Sequence, residues 1–196
     1  MKNILFVCTG NTCRSPMAEA LLKHKNVYIN VQSAGIFAGH GQSASQGTKD
    51  VLSQKGIDCQ HQSQPITPQL IEWADLILTM TMNHKQSILM QFPNAENKIF
   101  TLKEYVDDEQ QQIWNQLKEA YAALETDRAL FQANQDQQLE NKMKETQKEI
   151  MELERQLDNV DIQDPFGGDV NIYRKTLSEL EKYIELLLQK IDNREK

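Results

Sequence analysis

Five short residues, Thr9-Gly10-Asn11-Thr12-Cys13, separate Cys8 from Arg14, and Ser15-Pro16 follow at once. A cysteine sulfur is a strong nucleophile in its thiolate form. An arginine presents a planar fork that grips two oxygens of a tetrahedral anion and stays charged. Small residues between them can curl with their N–H groups inward, forming a nest for that anion. A helix opening near Pro16 aims its positive end at the same point. Such a loop suits capture of a phosphate-like group and attack on it by sulfur. Cys8 and Arg14 are therefore candidate catalytic residues, and Thr9, Gly10, Asn11, Thr12 and Cys13 candidate substrate-binding ones. No metal or cofactor is expected, because Arg14 and the amides supply the positive charge.

This chemistry also needs a group that gives a proton to the departing atom and later takes one from water. Asp164 is the candidate. It opens Asp164-Pro165-Phe166-Gly167-Gly168, where Pro165 restricts its backbone to an extended shape and the glycines let the segment swing. Alone, that segment reads as a turn; beside the Cys8 loop it reads as the second half of a site.

The elements that position these residues follow from periodicity. Ile4-Leu5-Phe6-Val7 is an apolar run typical of a buried strand, and Pro16 to Leu22 begins a helical pattern. Val27, Ile29 and Val31 alternate with polar residues, which predicts a second strand ending at Ser33-Ala34-Gly35. Ser43 to Lys55 reads as a helix closed by Gly56. Thr67-Pro68 predicts an N-cap and a first helical residue. Asp75 to Met80 and Lys98 to Leu102 read as two more strands. A last helix runs from about Asp169 to Asp192 with Ile172, Tyr173, Leu177, Leu180, Ile184, Leu187 and Ile191 on its buried face. Strands alternating with helices predict an α/β fold: a four-stranded parallel sheet with helices on both faces. Ligands of such sheets bind at the carboxyl ends of the strands, where Cys8 lies.

From about residue 108 to 160 the composition changes, with no Gly or Pro and many Gln, Glu, Lys, Asn and Asp residues. Ile113, Leu117, Ala120, Leu124 and Phe131 form one helical stripe, and Leu139, Met143, Ile150, Leu153 and Leu157 another. The stripes differ in heptad phase and flank polar Gln132–Gln138, which favours an antiparallel helical hairpin over one long helix in a parallel coiled coil. The expected organisation is one discontinuous domain, 1–107 with 161–196, plus an inserted hairpin, 108–160. The hairpin offers a surface for a partner or a second copy, or is a solvated decoration.

The 196-residue chain carries a formal net charge of −7. Asp107 to Asp161 holds 14 acids and 6 bases, against 14 and 15 elsewhere, so the anion loop sits in a near-neutral remainder. No basic patch interleaved with aromatics suggests nucleic acid, and no apolar run suggests a membrane span or signal peptide. Three cysteines, Cys8, Cys13 and Cys59, cannot make a disulfide framework; a reducing cytoplasm is expected. The Gly-x-x-x-x-Gly-Lys-Ser/Thr pattern of nucleotide-binding P-loops is absent.

The chain resembles the low-molecular-weight protein-tyrosine phosphatase family, above all its bacterial branch acting on phosphoarginine in proteins. The resemblance rests on the strand–Cys8-to-Ser15–helix unit, Ser33-Ala34-Gly35, Gly56-Ile57 with His61, Asp75-Leu76-Ile77-Leu78 with His84, Phe100 to Tyr105, and Asp164-Pro165. It implies that Cys8 is the nucleophile, Arg14 the phosphate clamp and Asp164 the acid and base. It also implies a hydrogen-bond network of Asn11, Ser15, Ser33 and His61 bracing the loop, with Ser15 easing departure of the thiolate. Phosphorylated proteins are the implied substrates, and a reversible disulfide between Cys13 and Cys8 is implied as a redox control.

Two departures from the family pattern bear on substrate. Thr12 stands where tyrosine-specific members generally carry a bulky aliphatic residue, and only Phe166 supplies an aromatic ring after Asp164-Pro165. A hydroxyl at the entrance suits a planar, polar guanidinium better than a phenyl ring. Hydrolysis of phosphoarginine through a phosphocysteine is therefore the favoured expectation, with a protein-tyrosine phosphatase as the alternative. A thioredoxin-coupled arsenate reductase is disfavoured by the shortage of cysteines. A non-catalytic phosphoprotein-binding scaffold needs neither nucleophile nor acid.

Overall fold

The computed structural model describes residues 2–134, 136–157 and 159–194. Gln135, within the predicted polar link, and Asp158 lie outside the described residues. The chain falls into two compact units: Met1–Val106 with Val160–Lys196, and Asp107–Asn159.

The first unit is built on four parallel strands: β1 (Asn3–Cys8), β2 (Asn30–Gly35), β3 (Leu76–Thr79) and β4 (Ile99–Thr101), in the order β2-β1-β3-β4. β1 is interior to the sheet, so both of its faces are covered and its run is apolar throughout. Ile4 and Phe6 face a core shared with Met17, Leu21 and Leu22 of α1 (Arg14–Lys25) and with Leu177, Leu180 and Ile184 of the last helix. Leu5 and Val7 face the opposite core, with Ile71, Ile77, Ile88 and Ile99. Because β1 pairs with β2 on one side and β3 on the other, its carboxyl end is a topological switch point, and Cys8 is the residue there.

The remaining elements are α2 (Gln46–Ser53), α3 (Pro68–Trp73), α4 (Met82–Gln91), a 3₁₀ turn over Pro93–Lys98, and α5 (Leu102–Val106). α6 and α7 form the second unit, and α8 (Val170–Arg194) ends the chain. Thr67 caps α3 by accepting from the Leu70 N–H, as its sequence predicts. Three boundaries differ from sequence expectation. Val27 is 79% exposed and lies in a turn where the Asn26 side chain accepts from the Tyr28 N–H, so β2 starts only at Asn30. Ser45 caps α2 through the Thr48 N–H, which delays that helix past Ser43. β4 stops at Thr101 because Thr101 and Glu104 exchange side-chain bonds with each other's N–H groups, a capping box that opens α5. Glu104 also meets the buried Lys85 ammonium at 2.7 and 2.8 Å.

The second unit pairs α6 (Asp108–Asn134) with α7 (Gln137–Gln156) as an antiparallel hairpin. Gln110 reaches the Gln156 carbonyl at one end, and Lys142 reaches Asp127 near the other. Ile113, Leu117, Ala120 and Leu124 pack against Ile150 and Leu153. Asp127 extends the α6 stripe by one heptad position and is 3% exposed. Its Oδ1 pairs with Lys142 Nζ at 2.9 Å, while Oδ2 has no hydrogen-bond partner among the described residues. Only the carboxylate is buried, since the Lys142 side chain is 61% exposed; a buried carboxylate is costly to leave unpaired and often stabilising to replace by an apolar side chain. Lys142→Met is therefore expected to destabilise the hairpin by about 1–3 kcal/mol, the cost of an uncompensated buried polar group. Asp127→Leu is expected to stabilise it. Amide hydrogen exchange across α6 and α7 reads both effects.

Candidate active site

The loop between β1 and α1 is shaped by four of its carbonyl oxygens, which are taken by donors outside the loop. Cys8 O accepts from the Ile36 N–H at 3.0 Å, Thr9 O from Phe37 at 2.9 Å and Thr12 O from Ser45 at 2.9 Å. Asn11 O accepts from His61 Nε2 at 2.7 Å, which fixes the proton on that ring nitrogen. In a trans peptide the N–H points opposite to the C=O of the same unit. The amides of Thr9, Gly10, Thr12 and Cys13 are therefore turned the other way, and these four residues line a cavity of about 220 Å³. Cys8, Arg14, Asp164 and Phe166 complete its lining.

Close approach of β2 to the loop explains one glycine. A Cβ on Gly35 would lie 2.6 Å from Thr9 O and 2.8 Å from Asn11 N, so no other residue fits there. Asn11 takes a left-handed conformation with φ of +54°, tolerated by asparagine more than by most residues. That turn sends its side chain away from the cavity. Asn11 is fully buried; its amide donates to Ser15 Oγ at 2.9 Å and Ser33 Oγ at 2.8 Å, and its Oδ1 accepts from the Gln64 N–H. Of the two roles the sequence suggests for Asn11, its side chain takes the bracing one implied by the family resemblance and does not line the cavity. Ser15, Ser33 and His61 meet in the same network, which extends to Glu19. Ser33 donates to Glu19 Oε2, and His61 Nδ1 lies 3.7 Å from that oxygen.

The Cys8 sulfur is 3.0 Å from Ser15 Oγ. Ser15 accepts from Asn11, which leaves its own hydrogen for the sulfur, with the Ala34 carbonyl a longer alternative at 3.4 Å. A hydroxyl directed at sulfur stabilises negative charge on it. Arg14 is buried, and its two terminal nitrogens are held apart. Nη1 donates to Ile162 O at 3.1 Å and Nη2 to Asp164 Oδ2 at 2.6 Å. The Asp164 side chain is 48% exposed, and its Oδ1 accepts from the Phe166 N–H at 3.1 Å, which tightens the turn. The segment is anchored at the sheet's carboxyl end by Ile162 N–H to Met80 O and by Asp161 at the first residue of α4. Phe166 is 76% exposed at the cavity rim.

Several contributors carry no local signal in the sequence. Glu19 and Gln64 enter the bracing network from distant segments. Tyr173 of α8 places its hydroxyl 3.6 Å from Cys13 Sγ, and burial pushes that phenol's pKa up. Its ring lies so close to α2 that a Cβ on Gly47 would sit 2.7 Å from it. His84, quoted above only as part of a pattern, touches Thr9 Oγ1 through Nε2 at 2.9 Å. Burial, with the neighbouring Arg14 charge, lowers its pKa to about 4.

The profile of the family described as low molecular weight phosphotyrosine protein phosphatase matches residues 3–156. That match stops short of Asp164, whose place in the site rests on its bond to Arg14. A protein-arginine-phosphatase of Geobacillus stearothermophilus is 38% identical over 189 residues, covering 96% of this chain and 95% of that protein. The solved YwlE arginine phosphatase from the same organism superposes with a TM-score of 0.72 at 35% identity, over 99% of this chain and 95% of its own. A second structure, a cysteine-to-serine variant of YwlE with a phosphorylated active-site serine, gives a TM-score of 0.70 at 34% identity, over 97% and 95% of the two chains. The family match over residues 3–156, with similarity along nearly the whole length of such relatives, settles the kinship: this chain is a protein phosphatase and belongs to the low molecular weight phosphotyrosine protein phosphatase family.

Proposed function

We propose that the chain hydrolyses phosphoarginine in proteins, with Cys8 as nucleophile, Arg14 as clamp and Asp164 as acid and base. The carrying observation is that one cavity of about 220 Å³ gathers the sulfur, four inward-turned amides, a guanidinium and a carboxylate. The amides of Thr9, Gly10, Thr12 and Cys13, with Arg14, bind the three free oxygens of the phosphoryl group and take up their charge in the transition state. Cys8 thiolate attacks phosphorus in line with the leaving nitrogen. As the P–S bond forms and the P–N bond breaks, protonated Asp164 delivers its proton to that nitrogen, and free arginine side chain departs. The Asp164 carboxylate then takes a proton from water, whose oxygen attacks phosphorus. Inorganic phosphate leaves, and the thiolate returns to the Ser15 hydroxyl.

The substrate preference draws on two features. Asp164 already binds a guanidinium, that of Arg14, at 2.6 Å, and the substrate presents the same group. Thr12 adds a hydroxyl to the cavity wall, and the similar full-length relatives are named as arginine phosphatases. A tyrosine substrate would replace the guanidinium by a phenyl ring that cannot use either polar group. Thr12→Ile is expected to raise the ratio of kcat/KM for a phosphotyrosine peptide over a phosphoarginine peptide by about tenfold, the loss of one hydrogen bond plus a gain in apolar contact. Paired kinetics on the two peptides test this, and an unchanged ratio rejects the assignment of Thr12.

A further inference from the structure

Thr9 sits at the cavity wall directly after the Cys8 sulfur, and its hydroxyl is held by two neighbours that belong to other segments. Oγ1 lies 2.9 Å from His84 Nε2 and accepts a long bond from Arg14 Nη2 at 3.5 Å. His84 is buried at the start of α4, and its other ring nitrogen lies 2.9 Å from Thr81 Oγ1. Thr81 is the N-cap of α4 and already spends one oxygen lone pair on the His84 N–H at 3.2 Å. Its hydroxyl hydrogen is thus free to go to Nδ1, which puts the ring proton on Nε2, facing Thr9.

We propose that His84 is a positioning residue that makes Thr9 a hydrogen-bond donor into the cavity. With one lone pair facing the His84 Nε2–H and the other facing Arg14, the Thr9 oxygen has no acceptor role left to offer. Its own hydrogen is the part that remains, and the cavity is where it points. An anionic oxygen bound there gains a donor beyond the amides and Arg14. The reverse arrangement, Thr9 donating to Nε2, would turn oxygen lone pairs toward the incoming anion and repel it. His84 is suited to the task because it is uncharged: buried beside Arg14, with Asp161 and Asp164 the acidic groups acting on it, it stays neutral above about pH 4. A second cation would compete with Arg14 for the same anion; a neutral ring leaves the clamp undisturbed and still fixes the hydroxyl.

This inference rests on the phosphatase reading of the cavity but is tested without turnover. Inorganic phosphate is the probe, measured by calorimetry on the full chain. His84→Leu and Thr9→Val are each expected to weaken phosphate binding about tenfold, the value of a hydrogen bond to a charged group. The double variant is expected to be no weaker than Thr9→Val alone, since His84 acts only through Thr9. His84→Gln, whose amide N–H can occupy the place of Nε2–H, is expected to restore most of the affinity. Nitrogen NMR of the His84 ring should show the proton on Nε2. Multiplying penalties in the double variant, or a proton on Nδ1, would overturn the proposal. If instead the wild type binds phosphate with the expected cycle yet releases none from phosphoarginine or phosphotyrosine peptides, the proposed function fails and the role of His84 stands.

Discussion

Cys8→Ser is expected to lower turnover of a phosphoarginine protein by on the order of 10⁴-fold or more while leaving phosphate bound. The substitution exchanges sulfur for an oxygen that stays a hydroxyl at neutral pH and attacks phosphorus poorly. It leaves in place everything that holds the anion. The carbonyls of Cys8, Thr9, Asn11 and Thr12 remain anchored outside the loop, so the inward amides do not turn. Arg14 keeps its bond to the Ile162 carbonyl and its position at the cavity wall. The loss therefore falls on kcat, and calorimetry with inorganic phosphate should return a Kd close to that of the wild type. Wild-type turnover in the serine variant would dismiss a thiol mechanism. A parallel loss of phosphate binding would mean that the sulfur, and not the amide nest, holds the anion.

Residues contiguous in sequence are legible from pattern alone, whereas those assembled by tertiary contact are legible only where the family resemblance names them, as for Asp164, Ser33 and His61. β1 is an apolar run because two neighbours and two helix layers bury it, and such a run is readable without knowing what buries it. Cys8 through Ser15 declares its own chemistry, since spacing alone puts the sulfur and the guanidinium at opposite ends of one turn. Val27 misled because β-branched alternation says strand, while the Asn26 side chain closes a turn that alternation does not encode. Lys98 to Leu102 misled in the other direction: the apolar pattern continues, but Thr101 and Glu104 trade bonds and convert Leu102 to helix. The resemblance implies that Asn11 braces the loop; its positive φ, which no local pattern encodes, is what turns the side chain that way. His84 and Glu19 are ordinary residue types at unremarkable spacings. Their contribution exists only because α4 begins beside Thr9 and because α1 carries Glu19 back over β2.

Asp164→Asn is expected to move catalysis and binding in opposite directions, and this is the sharper test of the second half of the site. An asparagine cannot hand a proton to the leaving nitrogen or take one from water, so kcat on phosphoarginine should fall by roughly 10²- to 10⁴-fold. A guanidine is a strong base that departs reluctantly as an anion, which places the loss near the upper end. An activated aryl phosphate, whose leaving group needs no proton, should lose far less in the cysteine-phosphorylation step. Binding responds differently because Asp164 now occupies the very group an anion requires. Its carboxylate takes Arg14 Nη2 at 2.6 Å, so entering phosphate must displace one negative charge from the guanidinium. Neutral asparagine gives up that nitrogen more readily. Since the aspartate side chain is 48% exposed and well screened by water, the gain is modest: a few-fold tighter inorganic phosphate, in line with the ~0.2–1 kcal/mol of solvent-exposed ion pairs. Weaker phosphate binding in Asp164→Asn would show that the aspartate helps hold the anion and does not compete with it. Equal losses on the arginine and aryl substrates would deny it the role of acid.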